Sequence, residues 1–268
     1  MKRIYCIILS LLVSFPAISK NTEFPGRALY VDVKHIELND LSKQFKNVVI
    51  VDVRSKYEFD TLHIKNAQHI SLRSKHFISS LKNLRNENIN KKIVTYCNGK
   101  TCMKSYKAAR KAQQYGIKNV VAYDAGIMDW AKANPSLSVL LGQSPLDPSK
   151  LISKSNFKKQ LLPVNDFIAS AQKSKNSLVL DARDPNQRDG ISLFTGLEQR
   201  ASLRDNEAMD KIIVEAAKQK KTMYIYDQAG KQIRWLMYRL EERGVKKYKF
   251  MKGGMKAYYK KLREEMTR

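Results

Sequence analysis

Cysteine is scarce in this 268-residue chain, with Cys6, Cys97 and Cys102 the whole supply. Two thiols close together, with no histidine at ligand spacing beside them, argue against a structural zinc site. His63, His69 and His76 read as surface or structural residues. Acidic residues are also few: 25 Asp+Glu stand against 50 Lys+Arg, for a formal net charge of +25. The basic residues are dispersed, with no compact arginine block and no zinc-finger or helix-turn-helix spacing. Charge alone specifies no partner, so no nucleic acid is expected. No apolar run reaches the length of a comfortable membrane span.

What is present begins at the N-terminus. MKRIYCIILSLLVSFPAIS has Lys2 and Arg3, an apolar core from Ile4 to Phe15, and small residues at Ala17 and Ser19. This pattern predicts a secretory signal peptide over residues 1–19, and a mature protein that is periplasmic or secreted. Cys6 would leave with it, so Cys97 and Cys102 would meet a compartment that favours thiol oxidation. No stable membrane span is expected after signal removal.

The remaining chain repeats itself. KNVVIVDVRSKYEFD (46–60) and NSLVLDARDPNQRDG (176–190) each join a buried-strand run to an Asp-x-Arg, Asp52-x-Arg54 and Asp181-x-Arg183. IVTYC (93–97) answers MYIYD (223–227), and NVVAYDAGIMDWAKA (119–133) answers KYKFMKGGMKAYYKK (247–261). Asp52 to Asp181 spans 129 positions, Cys97 to Asp227 130, and Gly116 to Gly244 128. A nearly constant offset over four blocks implies duplication, with two extra residues in the first copy after Cys97. Between the copies, LGQSPLDPSKLISKSN (141–156) reads as a linker. Short apolar strands alternate with helical runs in each copy. The expected fold is therefore α/β, with two tandem domains, 24–140 and 157–268, each a parallel sheet flanked by helices.

In such sheets ligands bind where strands end and helices begin. TYCNGKTCMKSYKAARKAQQYG (95–116) is such a junction, and it places Cys97 at the strand end and a helix after the loop. Free N–H groups at a helix start favour an anion, so Cys97 is a candidate nucleophile with a depressed pKa. Asn98, Gly99, Lys100, Thr101 and Lys104 would form the cradle for an anionic substrate. Asp52 and Arg54 are expected to be a structural pair.

The order of motifs is similar to that of a rhodanese domain. It runs from strand–Asp52-x-Arg54 through Tyr57-Glu58-Phe59-x-x-x-His63-Ile64-x-x-Ala67 and the Cys97 loop to Tyr123-x-Ala125-Gly126-x-x-x-Trp130. The resemblance covers about residues 24–140, with a degenerate second copy over about 157–268. It implies an exported sulfurtransferase in which Cys97 takes sulfane sulfur as a persulfide from a small anionic donor and passes it to a thiol or other thiophilic acceptor. No cofactor or metal is implied. Leu62 and Ala125 stand where the family commonly has glycine, and Ser105 lies eight residues after Cys97 where six is common. Asp227 replaces the nucleophile in the second copy, which is expected to be catalytically silent.

Three readings of the cysteine pair stand at this point. Cys102 resolves or protects a Cys97 persulfide, by exchange between nearby sulfurs. The pair is a fixed structural disulfide. Or the chain is a non-catalytic or thiol-redox binding module using the Cys97/Cys102 pair. An oxyanion-gripping phosphatase or arsenate-reductase loop would want an arginine at its end, where this sequence has Thr101, Cys102, Met103 and Lys104.

Overall fold

A computed structural model describes residues 23–188 and 192–267; the segment expected to be a signal peptide, 1–19, lies outside them. Two short helices, α1 (Pro25–Leu29) and α2 (Leu38–Lys43), precede the first sheet. There follow β1 (Val48–Asp52), α3 (Lys56–Thr61), β2 (Leu62–Ile64), β3 (Gln68–His69) and α4 (Phe77–Glu87). The half ends with β4 (Lys92–Tyr96), α5 (Lys104–Gln114), β5 (Val120–Tyr123), α6 (Gly126–Ala133) and β6 (Ser138–Leu140). The second half opens with α7 (Lys154–Lys159), β7 (Leu161–Leu162), α8 (Val164–Lys173), β8 (Ser177–Asp181) and β9 (Glu198–Arg200). It closes with α9 (Asn206–Lys218), β10 (Thr222–Tyr226), α10 (Ile233–Glu242), β11 (Tyr248–Met251) and α11 (Gly254–Met266).

The central strands are unbroken apolar runs rich in Val and Ile, the composition of parallel strands covered on both faces. The first sheet has the order β3-β1-β4-β5, and all its pairings are parallel. His35 adds a parallel bridge to Ala122 at the β5 edge. The second sheet has the order β9-β8-β10-β11-β7, also entirely parallel. Register agrees between them: Asp52 sits opposite Tyr96 and Asp181 opposite Tyr226. A separate antiparallel pair, β2 with β6, ties the end of the first half back to α3. The fold is thus α/β, built on parallel sheets flanked by helices.

The two halves are stacked so that matching helices meet different surroundings. Ala108, Ala109 and Ala112 of α5 pack with Phe77 and Leu81 of α4 against the first sheet, on the side away from the second half. Helix α10, the equivalent in the second half, belongs instead to a core shared by both sheets. That core joins Tyr57, Leu62 and Trp130 to Trp235, Leu236 and Tyr238. Its sequence reflects the difference: IRWLMYRLEE buries six residues, including Trp235, whereas KSYKAARKAQQ buries mainly small ones. Helices α8 and α11 cover the far side of the second sheet through Phe167 and Met255.

The 141–156 segment, expected as a linker, packs closely. Leu146 and Ile152 are buried in the shared core, and the Ile152 N–H donates to the Tyr238 hydroxyl at 3.1 Å. One core fed from both halves predicts one unfolding event. Calorimetry should give a single cooperative transition for both sheets, and Trp235→Ala should cost about 3–5 kcal/mol without splitting it. Two separated transitions would contradict the shared core.

Candidate active site

Cys97 follows β4 directly, at the carboxyl end of a central parallel strand, and is 1% exposed. Its carbonyl accepts the Ile127 N–H at 3.0 Å from the start of α6. The loop then turns, with the Cys102 N–H donating to the Gly99 carbonyl at 2.8 Å, and enters α5 at Lys104 without a side-chain cap. Cys97 and Cys102 are joined in a disulfide, with Cα atoms 6.3 Å apart. Gly126 permits the close approach of α6 to this loop. It has φ +75°, and a Cβ there would lie 2.3 Å from the Gly99 nitrogen.

Beneath the loop is a polar hub. The Arg54 guanidinium is fully buried and bidentate on Asp52, with Nη2 at 2.6 Å from Oδ2 and Nε at 2.9 Å from Oδ1. Its remaining reach goes to the Leu62 carbonyl at 2.6 Å and to Asn98 Oδ1 at 3.1 Å. Burial alone would lower the Arg54 pKa, but Asp52, Tyr96 and Glu58 together outweigh it, Asp52 foremost, and keep the guanidinium charged. Asn98 Nδ2 donates in turn to Glu58 Oε1 at 2.6 Å. An arginine on one side of the amide and a carboxylate on the other leave Asn98 a single orientation.

Glu58 is buried as the third helical residue of α3, where it forms a reciprocal capping box with Ser55. Burial would raise its carboxyl, yet Arg54, Lys104 and the Asn98 hydrogen bond together hold it below the usual carboxylate range. Lys104 Nζ stands 4.0 Å from Glu58 Oε2. Two histidines brace the periphery, His69 Nε2 at 3.1 Å from the Arg54 carbonyl and His63 Nδ1 at 2.7 Å from that of Phe59. Among the described residues, no group of three His, Cys, Asp or Glu side chains could hold a metal ion.

The junction in the second half is built alike but filled differently. The Asp227 carboxylate turns into its own loop, where Oδ1 accepts the Ala229 N–H at 3.0 Å and also that of Gly230. Oδ2 accepts the Gln232 N–H at 3.1 Å. Backbone donors at the head of α10 therefore hold an anion supplied by the chain itself. Gly254, with φ +58°, leaves no room for a Cβ against the Asp227 carbonyl at 2.3 Å, matching Gly126 in the first half.

The family model for the rhodanese-like domain matches residues 36–133. The chain carries a rhodanese-like domain. Among curated proteins, it is 31% identical over 129 residues to a tRNA uridine(34) hydroxylase of Aster yellows witches'-broom phytoplasma, covering 46% of this chain and 40% of that protein. The chain thus spans well under half of that relative's length. Among solved structures, a rhodanese-related protein of Thermoplasma volcanium is 26% identical, covering 37% of this chain and 92% of its own, at TM-score 0.30. A thiosulfate sulfurtransferase of Pseudomonas aeruginosa is 16% identical over 86% of this chain and 46% of its own, at TM-score 0.35.

The rhodanese-like domain gathers Cys97, Cys102, Asn98, Lys104, Asp52 and Arg54 around the adjacent carboxyl ends of β1 and β4. It disposes the residues expected to form the cradle unequally. Asn98 spends its side chain on Arg54 and Glu58, and Thr101 is exposed. Lys100 pairs with Glu23 at 2.5 Å and with Asp129 at 3.4 Å, and lies over the Phe24 ring. Sequence reasoning did not single out Glu58 or Ser55 for the site, although Ser55-x-x-Glu58 is a legible capping box.

Glu58→Gln should cost about 2–3 kcal/mol at neutral pH, because the charge-assisted bonds from Ser55 and Asn98 are weakened and the attraction of the Arg54 and Lys104 charges is lost. A carboxyl with a lowered folded pKa stabilises above its unfolded pKa and loses that contribution as pH falls through the folded value. The gap between wild type and variant should therefore narrow on acidification. Urea unfolding at neutral and at acidic pH measures it, and a gap independent of pH would contradict the ionised hub.

Proposed function

We propose that the protein is an exported sulfurtransferase that carries sulfane sulfur on Cys97. The observation that carries this reading is the position of Cys97 in a rhodanese-like domain, at a central strand end beside an uncapped helix start. Backbone N–H groups there favour a thiolate, contributing about 0.3–1 kcal/mol through the helix dipole. In the disulfide form Cys97 has no free sulfur to attack with, so a dithiol reductant must first take two electrons' worth of oxidation from the pair, yielding both thiols and an oxidised reductant.

The Cys97 thiolate then attacks the outer sulfur of a small anionic donor such as thiosulfate. The sulfur–sulfur bond of the donor breaks, sulfite leaves with the electron pair, and Cys97 holds a persulfide. A thiophilic acceptor removes the outer sulfur and regenerates the thiolate. Cyanide does so as thiocyanate, and a thiol does so by taking the sulfur as its own persulfide.

Cys102 supplies a competing exit. Its thiolate attacks the inner sulfur of the persulfide, expels hydrosulfide and closes the Cys97–Cys102 disulfide. The closed disulfide also favours a second reading, a thiol-redox module cycling between dithiol and disulfide with no sulfur cargo. The second half, with Asp227 already seated among its own loop donors, is read as a degenerate rhodanese copy with no nucleophile. The hydroxylation in the phytoplasma relatives' name is not carried over.

Reduced Cys97→Ser should lose thiosulfate-to-cyanide transfer by about 10³-fold or more while keeping its fold. Cys102→Ser should load sulfur on Cys97 and retain it longer than wild type. Transfer surviving in Cys97→Ser would overturn the assignment. A Cys102→Ser protein that never loads sulfur would overturn the role given to Cys102.

A further inference from the structure

The start of α10 reaches across to the capping box of α3. Gln232 Nε2 donates to Ser55 Oγ at 3.0 Å, a contact between residues 177 positions apart. Its own backbone N–H is held by Asp227, and the adjoining turn of α10 lays Trp235 against Arg54, whose guanidinium carbon is 5.1 Å from the indole ring. Ser55 Oγ has one proton to give and two lone pairs to fill. It donates to Glu58 Oε2 at 2.8 Å and accepts from the Glu58 N–H at 3.3 Å and from Gln232. The Gln232 donor therefore keeps the Ser55 proton pointed at Glu58. From Glu58 the next bond goes to Asn98, the residue that follows Cys97.

The bonds converge on Glu58, which accepts from Ser55 on one side and from Asn98 on the other. Asp227 fixes Gln232, Gln232 orients Ser55, Ser55 completes the shell of Glu58, and Glu58 with Arg54 clamps Asn98. Each link lies in a half-buried or buried setting, where hydrogen bonds reinforce one another and a missing partner is costly. We propose that Gln232 is a positioning residue for the Cys97 loop, holding it in its disulfide-bonded shape through Ser55, Glu58 and Asn98. The catalytically empty second half thereby sets the redox poise of the site in the first. This deepens the reading of Cys97 as the sulfur carrier, but its test uses no sulfur donor, so failure of sulfur transfer and failure of the bridge are read separately.

The test equilibrates full-length protein with glutathione redox buffers and measures the fraction of Cys97–Cys102 disulfide. In Gln232→Leu the disulfide should become about three- to tenfold easier to reduce, the range for one lost hydrogen bond. Ser55→Ala should produce a similar shift, and adding Gln232→Leu to it should change the constant no further, because both act through one path. If Gln232→Leu does not fold, Gln232→Glu replaces it, keeping size while removing the donor. An unchanged constant, a disulfide harder to reduce, or full additivity with Ser55→Ala would overturn the proposal.

Discussion

The Arg54 guanidinium is the constraint on which the rest of the site depends. It is a planar donor fork sealed from water, so each of its edges must find an acceptor or exact a large penalty. Asp52, on the same strand end, takes one edge. The Leu62 carbonyl and Asn98 take the others, which fixes the start of β2 and the first residue of the Cys97 loop. From the second half, the Trp235 ring lies 5.1 Å from the Arg54 guanidinium carbon. One buried cation thus sets the places of a strand, a loop and a domain contact. Arg183 on Asp181 repeats the first part of this arrangement in the second sheet, with Nη2 2.8 Å from Oδ2.

Stacking without exchange of equivalent faces explains how the halves differ. Helix α5 lies on the outer side of its sheet and can stay small and basic, whereas α10 lies between the sheets and carries Trp235, Leu236 and Tyr238. That burial brings the head of α10, with the loop that holds Asp227, up to Ser55. At the strand end of that loop the second half has Asp227 in place of a thiol. A carboxylate satisfied by its own loop amides closes the same space without needing an incoming anion.

Much of this could be read in the sequence, for stated physical reasons. Buried parallel strands announce themselves as VVIVD and SLVLD, and the positive-φ glycines Gly116 and Gly244 mark the ends of α5 and α10. The α/β class and the paired Asp-x-Arg turns followed from those patterns. The partners of polar side chains did not. Nothing local tells that Asn98 faces a guanidinium and a carboxylate, or that Lys100 meets Glu23 from far upstream. The 141–156 stretch has too few apolar residues to advertise that Leu146 and Ile152 are core. Contact of Gln232 with Ser55 depends on how two sheets stack, which periodicity within one element cannot encode.

The proposed sulfur transfer depends on the Cys97 Sγ being the atom that accepts sulfur. The direct measurement is peptide-resolved mass spectrometry of the reduced wild-type protein after exposure to thiosulfate and removal of excess donor. One added sulfur atom is expected on the peptide bearing Cys97, absent from unreduced protein and released by cyanide. No added sulfur, or sulfur found on Cys102 with Cys97 unmodified, would contradict it.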